Sequence, residues 1–355
     1  MLPYYLILFI ELLLYIICQK KIKGHQQLCL MITFVLLFIF AAFRAETVGG
    51  DLQRYLPEFF EVSKAKFSDV ILYGYGQRER GFAILERAIA FLSDTSFAFI
   101  FTTSLIFCVL GIRAIKVSSD NYILSGLLFT LLLYPNSYNI IRASLTVVIG
   151  LNMIPYIRRR ELKKFLLLLL IAVLIQRTSI VLLPVYFLYG KRYSITLLLI
   201  MLFGSFALSF VLTGSFITTI LNDYLNMAIN DEFGLSYFSE HNTGVTKMAF
   251  FLLGLSIFML YSYNKSKIHD SLGYFYITLL VIATCLQFFS SLFSLINRLS
   301  LFYYAFLIIS LPYLFRIMPK SFTPIVRLGL IFIFIILYIS GMQTDVQEIV
   351  PYKFI

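Results

Sequence analysis

A chain of 355 residues that is 60% hydrophobic and 13% charged falls outside ordinary soluble domains, which run near ~45–50% apolar and about 25% charged. Its mean hydropathy of +0.89 likewise excludes a disordered chain and a small disulfide scaffold, and leaves a polytopic membrane protein. The net charge of +11 forms no basic stripe on a soluble face, so nucleic acid is not expected; such an excess belongs to cytoplasmic loops.

In chain order, the apolar runs cover 3–18, 28–43, 96–115, 122–135, 137–157, 165–176, 178–189, 194–213, 248–263, 271–291, 299–315 and 328–342. At ~20 residues per crossing, they predict an all-α membrane protein of about 12 transmembrane segments. Residues 1–355 read as a single integral membrane domain. Lys20, Lys21 and Lys23 follow the first run rather than precede it. That is the reverse of a secretory signal, and it puts the first loop in the cytoplasm. The second run exits at Arg44, and the third returns to Arg113 and Lys116. Pro135-Asn136 breaks the next apolar stretch into two short helices, which lead back to the basic cluster from Arg158 to Lys164.

The stretch 165–190 suits one crossing or a short broken hairpin. A single crossing would put Lys265, Lys267, Arg316, Lys320 and Arg327 outside. A hairpin turning at Gln176-Arg177 puts them inside with Lys191 and Arg192, so the hairpin is expected. Its non-helical tip is tolerated at membrane depth only inside protein or a water-filled cavity. Two long outer segments follow from this topology, 44–95 and 214–247. In the first, 52–60 is an amphipathic stretch. From Glu79 to Asp94 the pattern predicts a helix on the membrane surface, anchored by Phe82, Ile84, Leu85, Ile89 and Phe91. The second carries Asp223, Asp231, Glu232, Glu240 and His241. The absence of an internal repeat argues against a secondary transporter.

Cys18, Cys29, Cys108 and Cys285 lie in or beside apolar runs and read as small buried hydrophobes, neither bridged nor metal-binding. His25, His241 and His269 are too scattered for a metal cluster. The informative residues are the outer arginines 44, 54, 78, 80, 87, 142, 177 and 298. Arg142 stands near the start of a helix, Arg177 at the hairpin tip, and Arg298 between two apolar runs. Ionisable groups in such places are costly and point to function. Arg stays charged and presents a planar fork of donors that matches phosphate oxygens. Arginines converging at the outer leaflet therefore suit a lipid diphosphate. The competing reading is that each snorkels, or pairs with Glu46, Asp51 or Glu86. Asp51, after Val48-Gly49-Gly50, reads as a general base, as an orienter of an Arg, or as the N-cap of 52–64. His241 reads as a proton acceptor or as a solvated loop histidine. Glu11, inside the first run, is expected to bond another helix. Tyr55, Tyr134 and Tyr138 lie near the outer rim and are candidates to stack on sugar rings. No phosphate loop or zinc spacing is present, so no metal or other cofactor is expected and the energy must come from an activated lipid-linked substrate.

Four ordered patches resemble the Wzy-type polysaccharide polymerases, in their EpsG-like branch. They are Phe43-Arg44 with Val48-Gly49-Gly50-Asp51 and Tyr55; Asn139-Ile140-Ile141-Arg142; Gln176-Arg177-Thr178-Ser179-Ile180; and Asn297-Arg298-Leu299-Ser300. Among the departures from the family pattern, Ala143 stands for a Gln, Gln176 for a His and Gly50 for a Thr, so no catalytic histidine carries over to position 176. The resemblance implies a GT-C-like glycosyltransferase fold in the bacterial inner membrane, with its active site facing the periplasm. It implies polymerisation of undecaprenyl-diphosphate-linked repeat units into O-antigen or exopolysaccharide. Arg142, Arg177 and Arg298 are then expected at the departing diphosphate, with Asp51 or His241 as base or acceptor positioner. Arg44, Tyr55, Asn139, Gln176 and Asn297 are expected to contact diphosphate or glycan. The expected partners are the lipid-linked donor and acceptor, membrane lipid and a chain-length regulator protein. An O-antigen ligase of the same fold class and a flippase or transporter without chemistry are the alternatives. A membrane acyltransferase is disfavoured, because His25 and His269 sit in short loops without partners.

Overall fold

The computed structural model describes residues 1–18, 23–73, 79–212, 246–266, 270–290, 294–318, 323–345 and 347–355, and every element named among them is helical. They are α1 (Leu2–Ile17), α2 (Lys23–Ala42), α3 (Leu52–Lys64), α4 (Phe67–Tyr73), α5 (Arg80–Leu92), α6 (Ser96–Ser118), α7 (Tyr122–Leu132), α8 (Asn136–Asn139), α9 (Ile141–Leu151), α10 (Ile154–Arg158) and α11 (Leu162–Ile175). A 3-10 turn (Arg177–Leu182) follows, then α12 (Leu183–Leu188), α13 (Ile195–Leu212), α14 (Lys247–Lys265), α15 (Ser271–Phe288), α16 (Ser294–Tyr304), α17 (Leu307–Ile317) and α18 (Thr323–Thr344). Starts are set by ordinary capping chemistry. Thr95, Asn121, Thr246 and Asp270 each accept a backbone N–H three residues on, satisfying a donor that the first turn leaves open.

Among the described residues, five helices are long and apolar enough to cross a membrane: Gly24–Ala42, Ser96–Ser118, Lys247–Lys265, Ser271–Phe288 and Thr323–Thr344. A sixth span results if the broken pair Ile296–Tyr304 and Leu307–Ile317 counts as one. The protein is therefore an all-helical, multi-pass membrane protein. Length and composition do not reach the dozen expected spans, because the remaining apolar runs form shorter pieces. α1 has 16 residues and α7 has 11, against the ~20 that a hydrocarbon core requires. The 137–157 run is divided into α8, α9 and α10.

The chain forms two compact units, one of Met1–Tyr186, Ile308–Arg316 and Lys320–Ile355, the other of Phe187–Leu307 and Ile317–Pro319. In the first, contacts sort the helix ends into two sets. Tyr4 packs edge-on against Tyr138 and Tyr352, Ser96 bonds Glu46, and the backbone of 43–49 pairs with 348–355. At the opposite helix ends Arg113 bonds Asn152 at 3.0 Å, and Arg316 pairs with Asp120 at 3.2 Å. The start of α1 and the end of α18 thus share one end of the first unit. The stretch 165–190 does reverse at Gln176-Arg177. The Tyr186 ring returns to within 5.0 Å of Phe165, and Arg160 donates to the Tyr186 carbonyl at 3.1 Å.

In the second unit, α15 packs against α13, α14 and α16. One end holds Arg192 over the Tyr274 ring and Tyr263 bonded to the Asp270 carbonyl. At the other end, Gln287 donates to Thr246 and Ser290 and accepts from Ser300.

Three expectations need correction. Cys18 and Cys29 are joined by a disulfide linking the end of α1 to α2; their spacing alone did not reveal that the two helix ends meet. Of the anchors expected on the surface helix, Phe82 and Ile89 are buried in the protein against neighbouring helices, while Phe91 is exposed. Tyr134 and Tyr138, expected to be free to meet sugar, are fully buried and bonded to each other through their hydroxyls at 2.5 Å. Glu11 meets its expected helix partner, accepting from Thr33 on α2 at 3.2 Å.

Candidate functional site

The first two sequence patches meet through backbone. Gly49 has φ +107 and lies so close to Tyr138 that a Cβ would stand 2.3 Å from its carbonyl oxygen. Only glycine combines that conformation with that approach. The close approach sets the next two residues against α8, and the Asp51 N–H donates to Asn139 Oδ1 at 2.6 Å. Asp51 occupies the N-cap position of α3 without a side-chain capping bond. α3 therefore starts where Asn139 holds it, and its inner face presents Tyr55, Leu56 and Phe59 to the protein.

Arg142 lies in the first turn of α9, immediately after the Ile140 break. Its Nε donates to the Tyr55 hydroxyl at 3.4 Å, and its guanidinium sits 5.5 Å from the Tyr55 ring and 5.7 Å from the Phe82 ring. Its Nη1 is bonded to Glu79, each side chain being 17% exposed. Arg142 is thus a half-enclosed cation with two aromatic faces, one carboxylate and an opening to solvent. Arg177 begins the 3-10 turn, exposed and without a hydrogen bond or ion pair to the described residues. The two arginines share an end of the α9–α11 pair. Glu79 holds Arg142, and Gly81, two residues on, packs directly on Leu174 near the end of α11. Gln176 is buried as the C-cap of α11 and donates to Thr178 Oγ1 at 2.8 Å, which orders the turn that carries Arg177. Such an arrangement offers an anion one preorganised and one exposed guanidinium.

Arg44 behaves differently. It is 1% exposed, donates Nη2 to the Tyr138 carbonyl at 3.3 Å and stacks 4.5 Å from the Tyr138 ring. Its Nε and Nη1 have no hydrogen-bond partner among the described residues. Burial lowers its proton affinity, while Tyr138, Tyr134, Tyr4 and Tyr352 act in the opposite direction. A residue so enclosed has no surface to give a substrate in this structure. A cavity of about 10 Å³ bounded by Thr103, Ser104, Ser137 and Ser144 lies beside α9; it is at the lower limit for one water and holds no sugar.

The model of the EpsG family matches residues 27–354, a span that includes all four patches. The chain belongs to the EpsG family. That family groups Wzy-type, exopolysaccharide-polymerase-like membrane proteins. No curated protein and no solved structure matches the chain.

The structure brings together Asp51, Tyr55, Asn139 and Arg142, with Gln176 and Arg177 at the neighbouring turn. Asn297 and Arg298 open α16 in the second unit, Asn297 exposed and Arg298 partly so. The Asn297 carbonyl accepts from Ser300 at 2.9 Å. His241 and Arg78 lie outside the described residues. The pairings open to the arginines from sequence were Glu46, Asp51 and Glu86. Glu46 bonds Ser96 instead, and the partner of Arg142 is Glu79. Glu79 was missed because it stands among Arg78 and Arg80 and reads as a member of a solvated charge run. Phe82 was assigned to lipid, because a hydrophobic residue on a surface helix carries no mark of the cation it faces.

Proposed function

We propose that this EpsG-family protein polymerises undecaprenyl-diphosphate-linked oligosaccharide repeat units by glycosyl transfer, at the periplasmic face of a bacterial inner membrane. The hydroxyl at the non-reducing end of one unit attacks the anomeric carbon of the chain held on a second carrier. The new glycosidic bond forms as the bond to undecaprenyl diphosphate breaks. Negative charge grows on the leaving diphosphate, so preorganised guanidinium donors lower the barrier. Arg142 and Arg177 are assigned to that charge, with Arg298 added on its sequence patch alone. Asp51 or His241 takes the hydroxyl proton, and Tyr55 lines the glycan side. Twelve segments in a GT-C-like arrangement would frame this chemistry. Membership in the family supports the reading, and one observation carries it: a partly buried guanidinium at Arg142, flanked by Tyr55 and Phe82, with Arg177, exposed and unpaired among the described residues, at the same end of the α9–α11 pair.

The test uses purified protein and synthetic undecaprenyl-diphosphate-linked repeat units. A ladder of glycans with release of one undecaprenyl diphosphate per added unit is the expected result. In cells, a deletion strain should retain a surface glycan of one repeat unit. A strain lacking even that unit would identify a ligase or a flippase, and an absent ladder in vitro would remove the polymerase.

A further inference from the structure

Residues 347–355 follow α18 and turn back onto the first unit. The reversal is built by Asp345, whose Oδ1 accepts the N–H groups of Ile349 and Val350 at 2.8 and 3.1 Å. The returning segment then pairs with the patch that begins at Phe43. Gly49 N–H donates to the Glu348 carbonyl at 2.9 Å, Ala45 N–H to the Lys353 carbonyl at 2.9 Å, and Ile355 N–H to the Phe43 carbonyl at 3.0 Å. Arg44 and Phe354 form an isolated antiparallel bridge.

Side chains extend the same contact. Tyr352 donates to the Phe40 carbonyl at 2.8 Å and packs edge-on against Tyr4, 5.6 Å between centroids. Tyr4 donates to the Ile349 carbonyl at 2.8 Å and packs edge-on against Tyr138. Tyr138 is the ring on which Arg44 stacks and the carbonyl on which Gly49 rests. Gln347 donates to Asn136 Oδ1, at the start of the helix that carries Asn139. The segment therefore touches both strands of backbone that define where Asp51 stands. It clasps 43–49 directly and α8 through Gln347 and the Tyr352–Tyr4–Tyr138 row. The Glu348 side chain closes over Gly50, where a Cβ would lie 2.3 Å from its carboxylate.

We infer that residues 347–355 are a strap that positions the candidate site, with Tyr352 as the positioning residue that acts through Tyr4, Tyr138 and Arg44 on the Gly49–Asp51 turn. The inference rests on the polymerase reading for the reaction it serves. It also explains the buried Arg44 as a keystone of this clasp, a role that needs no contact with substrate.

The full-length protein is the object of the test, with Tyr352→Ala, Tyr352→Leu and Tyr352→Phe compared at equal folded protein. Two measurements are paired: turnover of synthetic lipid-linked units, split into kcat and KM, and hydrogen exchange of the amides of 45–51. Misplacing a reacting group by about 1 Å costs up to ~10²-fold in rate. Tyr352→Ala should therefore lose about 10- to 100-fold in kcat, with KM within about threefold. Its 45–51 amides should exchange faster while those of α7 stay protected. Tyr352→Phe, which keeps the ring and loses only the bond to Phe40, should restore both. Tyr352→Leu keeps an apolar side chain larger than Ala and reports on the ring if the Ala variant unfolds. Wild-type kcat in the Ala and Leu variants overturns the strap, as does unchanged exchange at 45–51. A loss of turnover matched by an equal loss of folded protein across the variants makes the segment scaffold alone, and also overturns it. If the wild-type protein itself builds no ladder, the polymerase reading has failed, and the strap as a positioning device for that reaction fails with it.

Discussion

Removing Arg142 leaves Glu79 a partly buried carboxylate without its cation, whereas removing Arg177 orphans nothing among the described residues. The two variants therefore separate a structural ion pair from a substrate clamp. Arg142→Ala should cost about 1–3 kcal/mol of stability through the abandoned Glu79, in addition to any loss of activity. Arg177→Ala should melt like the wild-type protein. If both arginines face the leaving diphosphate, each Ala variant loses ~10²–10³ in turnover at equal folded protein, the usual cost of one transition-state donor. Lys at position 142 keeps the charge but loses the fork that meets Tyr55 and Glu79 together, so only partial rescue is expected. Wild-type rates in a folded Arg177→Ala protein would remove that residue from the clamp. Wild-type rates in a folded Arg142→Ala protein would leave the Glu79 pair as scaffold.

At the scale of elements, the clamp depends on α5 lying against the end of α11. Gly81 makes that approach: a Cβ there would stand 2.6–2.7 Å from Leu174 backbone and side-chain atoms. Gly81→Val must push α5 off α11 and carry Glu79 away from Arg142. Overpacking of this kind costs about 1–3 kcal/mol. The expected outcome is a lower melting temperature in detergent and a turnover reduced at least ~10-fold; an unchanged protein by both measures would deny the α5–α11 contact. The helices themselves were legible because apolar runs and cap residues are local signals. The amphipathic stretch 52–60 falls within α3, and the reversal at Gln176-Arg177 followed from charge parity. The contacts between elements were not legible. Glu79 finds Arg142 across 63 residues, and Tyr4 finds Ile349 across 345. Neither periodicity nor spacing encodes a meeting at that separation, so the Arg44 cage and the strap stayed hidden while every residue in them was in plain view.

For the whole molecule, orientation is the property on which the proposed chemistry depends, since a polymerase acting on lipid-linked units outside would need its clamp outside. The contacts of the first unit gather Tyr4, Glu46, Ser96, Asn136 and Lys353 at one end, and Asp120, Arg160, Tyr186 and Arg316 at the other. The second set contains the Arg158–Lys164 cluster's neighbours, and basic loops stay in the cytoplasm. Single cysteines in a cysteine-free protein turn this into a measurement, with exposed positions chosen at each end. Ser68→Cys and Lys353→Cys should react with a membrane-impermeant maleimide in intact spheroplasts. Lys163→Cys and Lys191→Cys should react only after permeabilisation. Lys191 decides the most, because it follows the 165–190 reversal: two short passes return the chain to the side of Lys163, and a single crossing does not. Labelling of Lys191→Cys from outside would turn the reversal into one crossing and place Arg316 and Lys163 on opposite sides. The Arg316–Asp120 pair, which needs both on one side, would then have to be abandoned together with the outward-facing clamp.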